Sequence, residues 1–429
     1  MVDFGHPYHT IPVVMKMFRL PSIEAPAGDG KQPVACSNGW STSLAGAFSE
    51  PYFDHNDNRN ILSRGGTMIR KAIFPGCYIQ GKDVFRNLGE IEELKKKRVF
   101  ILATNKAVNN IIPQHLSTWK SICEITHEKF NGACTWDEIN RILEITKDGA
   151  YDFIIGMGGG KTIDTARVVA KRLGVKYIAA PTIAATDAPT ASACVVYSNE
   201  GSVVDYFTTS NPDYVLVDTR IIAEAPARFL VSGMGDALAT WFEAETCDRS
   251  YFRNVCGGFN LGAIMSLAET CYKTLLAYGS TAKIACENNV VSPALERIVE
   301  ANTLLSGLGF ESGGLSTAHG IHDCLCNLEG THAYYHGEKV AFGTLAGLFL
   351  DARPQATIDE VYAFCRSVGL PTTLAQIGLG DVTDLELDAA IRPVFDNKQS
   401  YLHNVRFDLT PEGIIAAIRM ADALGRHPG

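Results

Sequence analysis

His319 and His322 stand three residues apart, just after the run Gly307-Leu308-Gly309-Phe310-Glu311-Ser312-Gly313-Gly314-Leu315-Ser316-Thr317-Ala318. The run reads as a glycine-rich turn entering a helix, on which that spacing puts both imidazoles on one face. Ser316 or Thr317 is placed to cap the helix, because a hydroxyl accepts from its first unpaired amides. His336 follows further on, beside Gly337, and Asp236 lies upstream after Gly233-Met234-Gly235. One carboxylate and two imidazoles from separate helices would form a compact site for a divalent metal, zinc with an open position fitting best. Taken alone, histidines in such numbers are more often packed or solvated than ligating.

A second stretch carries chemistry of another kind. Gly158-Gly159-Gly160-Lys161 follows the apolar run Ile154-Ile155 and opens a helical pattern. Glycines there let the backbone approach a pyrophosphate, and the helix N-terminus supplies amides and a favourable dipole. The spacing is neither GxGxxG nor GxxxxGK[ST], so nothing argues for ATP hydrolysis. Pro181 to Thr190 follows the next apolar run and so leaves the carboxyl edge of a sheet, where ligands bind in such folds. Asp187 in that stretch could orient a substrate hydroxyl, although Asp-Ala-Pro is also ordinary turn chemistry.

These groups need elements to hold them. Strand patterns at 98–104, 122–125, 151–155 and 176–180 alternate with helical patterns at 106–119, 136–145 and 162–173. That alternation marks a parallel sheet with helices on both faces. Cys194 to Tyr197 and Val203 to Phe207 flank Asn199-Glu200-Gly201, a hairpin signal, and Tyr214 to Asp218 returns to a buried strand. After Pro226 nearly everything is helical, with apolar periodicity at 236–245, 263–276, 295–305, 343–350, 358–368 and 411–424. Thr410-Pro411 opens the last of these as an N-cap followed by proline at the first helical position. The fold class is therefore α/β: an N-terminal parallel-sheet dinucleotide-binding domain at 70–228, then an all-helical metal and substrate domain at 229–429. Residues 1–69 are a poorly patterned extension.

Composition excludes several classes. At 429 residues two domains are expected, and 46% hydrophobic with 20% charged residues is ordinary for a soluble globular chain. A net charge of -9 argues against nucleic-acid binding, which needs a basic face. No apolar run approaches the roughly 18–20 residues that span a bilayer, so no membrane partner is expected. The 12 cysteines show no paired CxxC spacing and read as free thiols in a reducing compartment. Before Arg59 the chain has a single arginine, Arg19, so a cytoplasmic location is favoured over a mitochondrial leader.

Together, Phe74 to Gly81, Gly156 to Ala166, Pro181 to Pro189, Ala225 to Arg228, Gly233 to Glu243, Glu300 to His322, His336 to Thr344 and Gly369 to Gln376 resemble the glycerol dehydrogenases. These form a branch of the metal-dependent, iron-containing type of alcohol dehydrogenase superfamily, which also includes dehydroquinate synthase. The resemblance runs from about Phe74 to the C-terminus. It implies that Asp236, His319 and His336 hold zinc. It implies that Asp187 and His319 border the substrate, and that Gly160, Lys161, Asp164, Thr182 and Tyr197, with Gly159 in the same turn, border the dinucleotide. His322 resembles the family's histidine outside the ligand set. Iron-type members carry a further histidine four residues after the aspartate; here that position is Thr240, which fits zinc better than iron. The family's acidic residue at the end of the first strand is Thr104, and its serines near the dinucleotide are Ala185 and Ala191. These departures leave NAD and NADP both open.

The reading is a zinc-dependent polyol dehydrogenase, a homo-oligomer, oxidising glycerol or a related vicinal diol to the ketone with hydride transfer to NAD or NADP. Two neighbouring hydroxyls on the metal favour diols over simple alcohols, with Asp187 or His322 as proton relay. Two rivals are a dehydroquinate synthase-like lyase and an inactive metal-binding homologue. The lyase needs basic residues around its anionic substrate, and Ala179 to Ala193 holds no Lys or Arg.

Overall fold

Six parallel strands form one twisted sheet in the order β1-β8-β5-β4-β2-β3. Their ranges are β1 Tyr78–Gly81, β2 Arg98–Ala103, β3 Glu124–Lys129, β4 Phe153–Gly158, β5 Lys176–Pro181 and β8 Tyr214–Asp218. Between β5 and β8 the chain makes an antiparallel ribbon, β6 Ala193–Tyr197 with β7 Val203–Thr208. The computed structural model describes residues 68–199 and 203–427. The extension at 1–69 falls outside them up to residue 67, as does the centre of the ribbon turn at 200–202. The described residues all belong to one compact unit, Phe53–Gly429.

The central strands are apolar on both sides because both faces of the sheet are covered. Alternate residues serve two cores: Val99, Ile101, Phe153, Ile155, Ile178 and Leu216 face one, and Phe100, Leu102, Ile154, Tyr177, Val215 and Val217 face the other. The second core continues unbroken into the helical half through Leu230, Met234 and Leu238. Helices α1 Ile112–Lys120, α2 Trp136–Thr146, α3 Gly160–Leu173 and the short α4 Thr219–Ala223 complete the sheet region.

The helical half runs α5 Ala227–Ser250, α6 Gly262–Glu287, α7 Pro293–Glu300, α8 Ser306–Gly313, α9 Thr317–Cys326, α10 His336–Leu350, α11 Gln355–Val368, α12 Asp384–Asp396 and α13 Pro411–Arg426. Helix α5 is much longer than its periodic segment at 236–245, and α10 begins well before 343. Both are buried on nearly every side, so no polar stripe marks their ends in the sequence. Thr410 caps α13 through the Gly413 amide, with Pro411 at the first position.

Other elements differ from expectation. The third strand lies at 124–129, not 122–125, since β3 is an edge strand with mostly exposed residues and no apolar run. The apolar Cys123 instead packs into the core below the turn. Strand β1, half-buried throughout, and α12, with Pro393 inside it, carried no period strong enough to read. Between α7 and α8 the residues Ala301–Leu305 form a π-helical segment. There Asn302 Nδ2 donates to the carbonyls of Ala184 and Leu230, and Thr190 Oγ1 donates to the Thr303 carbonyl. That bulge fastens the loop after β5 to the start of α5.

Candidate metal and dinucleotide site

Asp236 on α5, His319 on α9 and His336 on α10 converge, with one ligand-capable atom of each lying within 4.8 Å of the others. Two glycines make the convergence sterically attainable. A Cβ on Gly337 would lie 1.8 Å from the Ser232 carbonyl oxygen, and one on Gly235 would lie 2.3 Å from the Gly337 oxygen. Any side chain at either position would force α5 and α10 apart. Arg228 locks the same crossing from outside, donating from Nε and Nη2 to the two Glu338 oxygens at 2.6 and 2.8 Å. The turn into α9 uses Gly314 at φ +106, a backbone angle that side chains rarely adopt.

Neither Ser316 nor Thr317 caps α9 as the sequence suggested. The Ser316 hydroxyl donates to the Asn404 carbonyl instead. The buried Glu243 carboxylate takes the capping role: its Oε1 accepts from the amides of Ser316 and His319. Its Oε2 lies 2.6 Å from His319 Nδ1. A carboxylate only accepts, so Nδ1 carries the proton and His319 Nε2 presents its lone pair. The same logic runs along a second chain. His322 Nδ1 faces Asp323 Oδ1 at 3.0 Å, which leaves His322 Nε2 as an acceptor for His336 Nδ1 at 3.0 Å. His336 Nε2 is then also a bare lone pair.

Both lone pairs point at one oxygen. Asp236 Oδ1 lies 3.5 Å from His319 Nε2 and 3.0 Å from His336 Nε2, yet this buried atom accepts no hydrogen bond of proper geometry. Three electron-rich atoms facing one another call for a cation between them. Burial alone would raise the Asp236 pKa, but the two imidazoles hold it well below the usual carboxylate range. Without a metal a proton takes that place: burial opposes a charged His319, but Glu243 and Asp236 raise its pKa well above normal, so Nε2 offers its lone pair to a metal as that proton leaves. The donor set of two imidazoles and one carboxylate fits a divalent transition metal.

Asp187 borders this cluster. Its amide donates to Asp236 Oδ2 at 3.4 Å, and the Ser306 hydroxyl donates to its Oδ2 at 2.8 Å. Ser306 is itself 3.0 Å from Thr240 Oγ1, so Thr240 belongs to a hydroxyl chain that ends on Asp187. Burial, followed by the neighbouring Asp236 charge, raises the Asp187 pKa well above the carboxylate range. His322 stays neutral, its pKa lowered to about 3 by burial and then by His336.

The carboxyl edge of the sheet supplies the second half of the site. Thr104 follows β2 and donates its amide to the Met157 carbonyl, while Thr182 follows β5 and donates to that of Gly158. Gly159 occupies the N-cap of α3 with no side chain capping it, leaving the Gly160 and Lys161 amides at an open helix start. A Cβ on Gly158 would fall 2.6 Å from Thr104 Cγ2. Lys161 Nζ sits over the Tyr197 ring, 4.8 Å from its centre. Asp164 is buried, with Oδ1 on Arg167 at 3.2 Å and Oδ2 accepting from the Val195 amide at 3.3 Å. It ties the ribbon to α3.

Sequence reasoning picked out Asp236, His319, His336, His322 and Asp187, which come together, and Gly159, Gly160, Lys161, Thr182, Tyr197 and Thr104, which line the strand edge. It missed Glu243, Ser306 and Asp323. Glu243 had a readable signal: Asp236, Thr240 and Glu243 recur at i, i+4 and i+7, one face of a helix. Ser306 and Asp323 had none.

Comparison with known proteins gives the family. Residues 75–219 match the iron-containing alcohol dehydrogenases. The chain is 46% identical to glycerol dehydrogenase of Thermotoga maritima over 84% of its own length and 98% of that protein's. The chain belongs to the iron-containing alcohol dehydrogenase family. Within this family it is also 43% identical to glycerol dehydrogenase of Citrobacter freundii over 84% of its length and 99% of that protein's. The structure of a probable glycerol dehydrogenase from Sinorhizobium meliloti superposes with a TM-score of 0.78 at 40% identity, covering 83% of this chain and 99% of that one. That of glycerol dehydrogenase from Schizosaccharomyces pombe gives 0.80 at 33%, covering 84% and 92%. This family member is a metal-dependent, NAD-linked dehydrogenase. Among its described residues no helix is long and apolar enough to cross a membrane.

Proposed function

We propose that the protein oxidises glycerol or a closely related vicinal diol, using zinc and a nicotinamide dinucleotide. The observation that carries the reading is the orphaned Asp236 Oδ1 between two imidazole lone pairs. Similarity to glycerol dehydrogenases at 46% and 43% identity supports the substrate class. A set of three protein ligands, with Thr240 engaged elsewhere, favours zinc with an open position over iron.

Asp236, His319 and His336 would hold the metal, and the sheet edge around Gly159 and Gly160 would hold the dinucleotide. When bound, the metal supplies Lewis acidity to a substrate hydroxyl and the nicotinamide supplies a hydride acceptor. The protein's share is orientation. Glu243 and the His322–Asp323 pair fix which ring nitrogen of each histidine is bare. Asp187, held by Ser306, orients a substrate hydroxyl beside the cluster. Residues 70–228 would carry the dinucleotide and 229–429 the metal and substrate. Thr104, in place of a carboxylate at the ribose, is read as leaving both NAD and NADP usable.

The test is absorbance of the reduced nicotinamide on adding glycerol to zinc-loaded protein with each cofactor, followed by a panel of vicinal diols, 1,3-diols and simple alcohols. Turnover concentrated on vicinal diols is expected. A flat trace with every diol overturns the reading.

A further inference from the structure

Cys326 closes α9, and its sulfur touches two nitrogens: Lys339 Nζ at 3.0 Å and His322 Nε2 at 3.4 Å. Lys339 is 9% exposed, and among the described residues the structure gives its ammonium this sulfur and no carboxylate. A buried ammonium without a counter-charge is costly, and the hydrogen bond to this sulfur is the contact that offsets its burial. Burial raises the Cys326 thiol's pKa, and Lys339 reduces that shift without cancelling it, so the geometry of the sulfur–ammonium pair is what sets this thiol apart. Cys326 is also half-buried, whereas the other described cysteines in the helical half, from Cys247 to Cys365, are fully buried. Of those, Cys247, Cys271 and Cys286 bond to backbone carbonyls. A sulfur within reach of solvent and paired with a cation is the environment in which thiols react with oxidants.

We propose that Cys326 is a peroxide-sensitive modification site, with Lys339 as its proton partner. The sulfur attacks one peroxide oxygen, the O–O bond breaks and an S–O bond forms. The proton that Lys339 donates to the sulfur passes to the departing hydroxide, which leaves as water. Sulfur is oxidised by two electrons and peroxide reduced by two, giving a sulfenic acid beside a neutral Lys339 amine. The new oxygen appears next to His322 Nε2, the acceptor that holds His336 Nδ1 in place. Oxidation is thereby transmitted to a metal ligand. This coupling rests on the metal reading above, whereas the chemistry at sulfur does not.

The experiment treats full-length, metal-loaded protein with hydrogen peroxide, traps sulfenic acid with dimedone and maps the adduct by peptide mass spectrometry. The adduct should form at Cys326 at least about tenfold faster than at any other described cysteine. Lys339→Met should slow it by about that factor and Lys339→Arg far less. An adduct spread over other cysteines, or a rate unchanged in Lys339→Met, overturns the site. If Lys339→Met does not fold, the site preference and the Arg variant still decide. In the second arm, release of metal to a chelating dye should quicken about tenfold after peroxide and recover with dithiothreitol. Equal quickening in Cys326→Ser overturns the coupling alone. Protein that never holds metal overturns the proposed function and leaves the labelling result standing.

Discussion

Glu243 Oε2 lies 2.6 Å from His319 Nδ1, while Oε1 of the same carboxylate holds the amides of Ser316 and His319. One buried side chain thus sets both the start of α9 and the orientation of the imidazole it carries. Glu243→Ala should weaken metal affinity by about 10- to 100-fold and cost about 1–3 kcal/mol of stability in the metal-free protein, because buried donors lose their acceptor. Glu243→Gln keeps one acceptor and should fall between. Competition against a zinc-chelating dye, with thermal melts of the metal-free proteins, separates the two effects. Affinity unchanged in the Ala variant would show that His319 needs no such support.

His319→Ala and His336→Ala each leave two protein ligands where zinc takes three. Activity should fall by several orders of magnitude while the far-ultraviolet spectrum stays native. Near-normal turnover after dialysis against chelator in either variant would rule out the cluster as the metal site.

Asp187 has a narrower role. Its amide touches Asp236, but its side chain is held by Ser306. Asp187→Asn should keep zinc stoichiometry and dinucleotide affinity while raising KM for the diol. Loss of metal from that variant would make Asp187 a ligand instead.

Thr104 stands at the end of β2, packed close to Gly158. A carboxylate there would accept from ribose hydroxyls and repel a 2′-phosphate. Such charge-assisted bonds are worth about 1.5–3 kcal/mol, roughly 10- to 150-fold in affinity. Thr104→Asp should therefore raise the NAD-over-NADP ratio of kcat/KM by that order. A ratio already favouring NAD strongly and unmoved by the substitution would show that Thr104 does not face the ribose.

The candidate ligands could be picked out because each stands beside a glycine or near a helix start, as Asp236 beside Gly235 and His336 beside Gly337 do, but only the family resemblance set them apart from packed histidines. The residues that orient the ligands were harder. Asp323 follows His322 directly and looks like any polar helix residue, and only the fold shows that it fixes the proton of an imidazole whose far nitrogen meets His336. Ser306 reaches Asp187 across 119 residues of chain, a pairing that no local period encodes. Central strands were legible because burial on both faces leaves an apolar run; the edge strands β1 and β3, wetted on one side, were displaced or missed.

Since no methyl group fits between α5 and α10, the span from Asp236 to His336 is a main-chain dimension. Repacking the apolar residues around these helices can soften the protein without lengthening that span. Variants drawn from a library of such core changes should therefore lose heat resistance well before they lose metal. Gly337→Ala should do the reverse, wedging the coordination sphere open in a protein that remains folded.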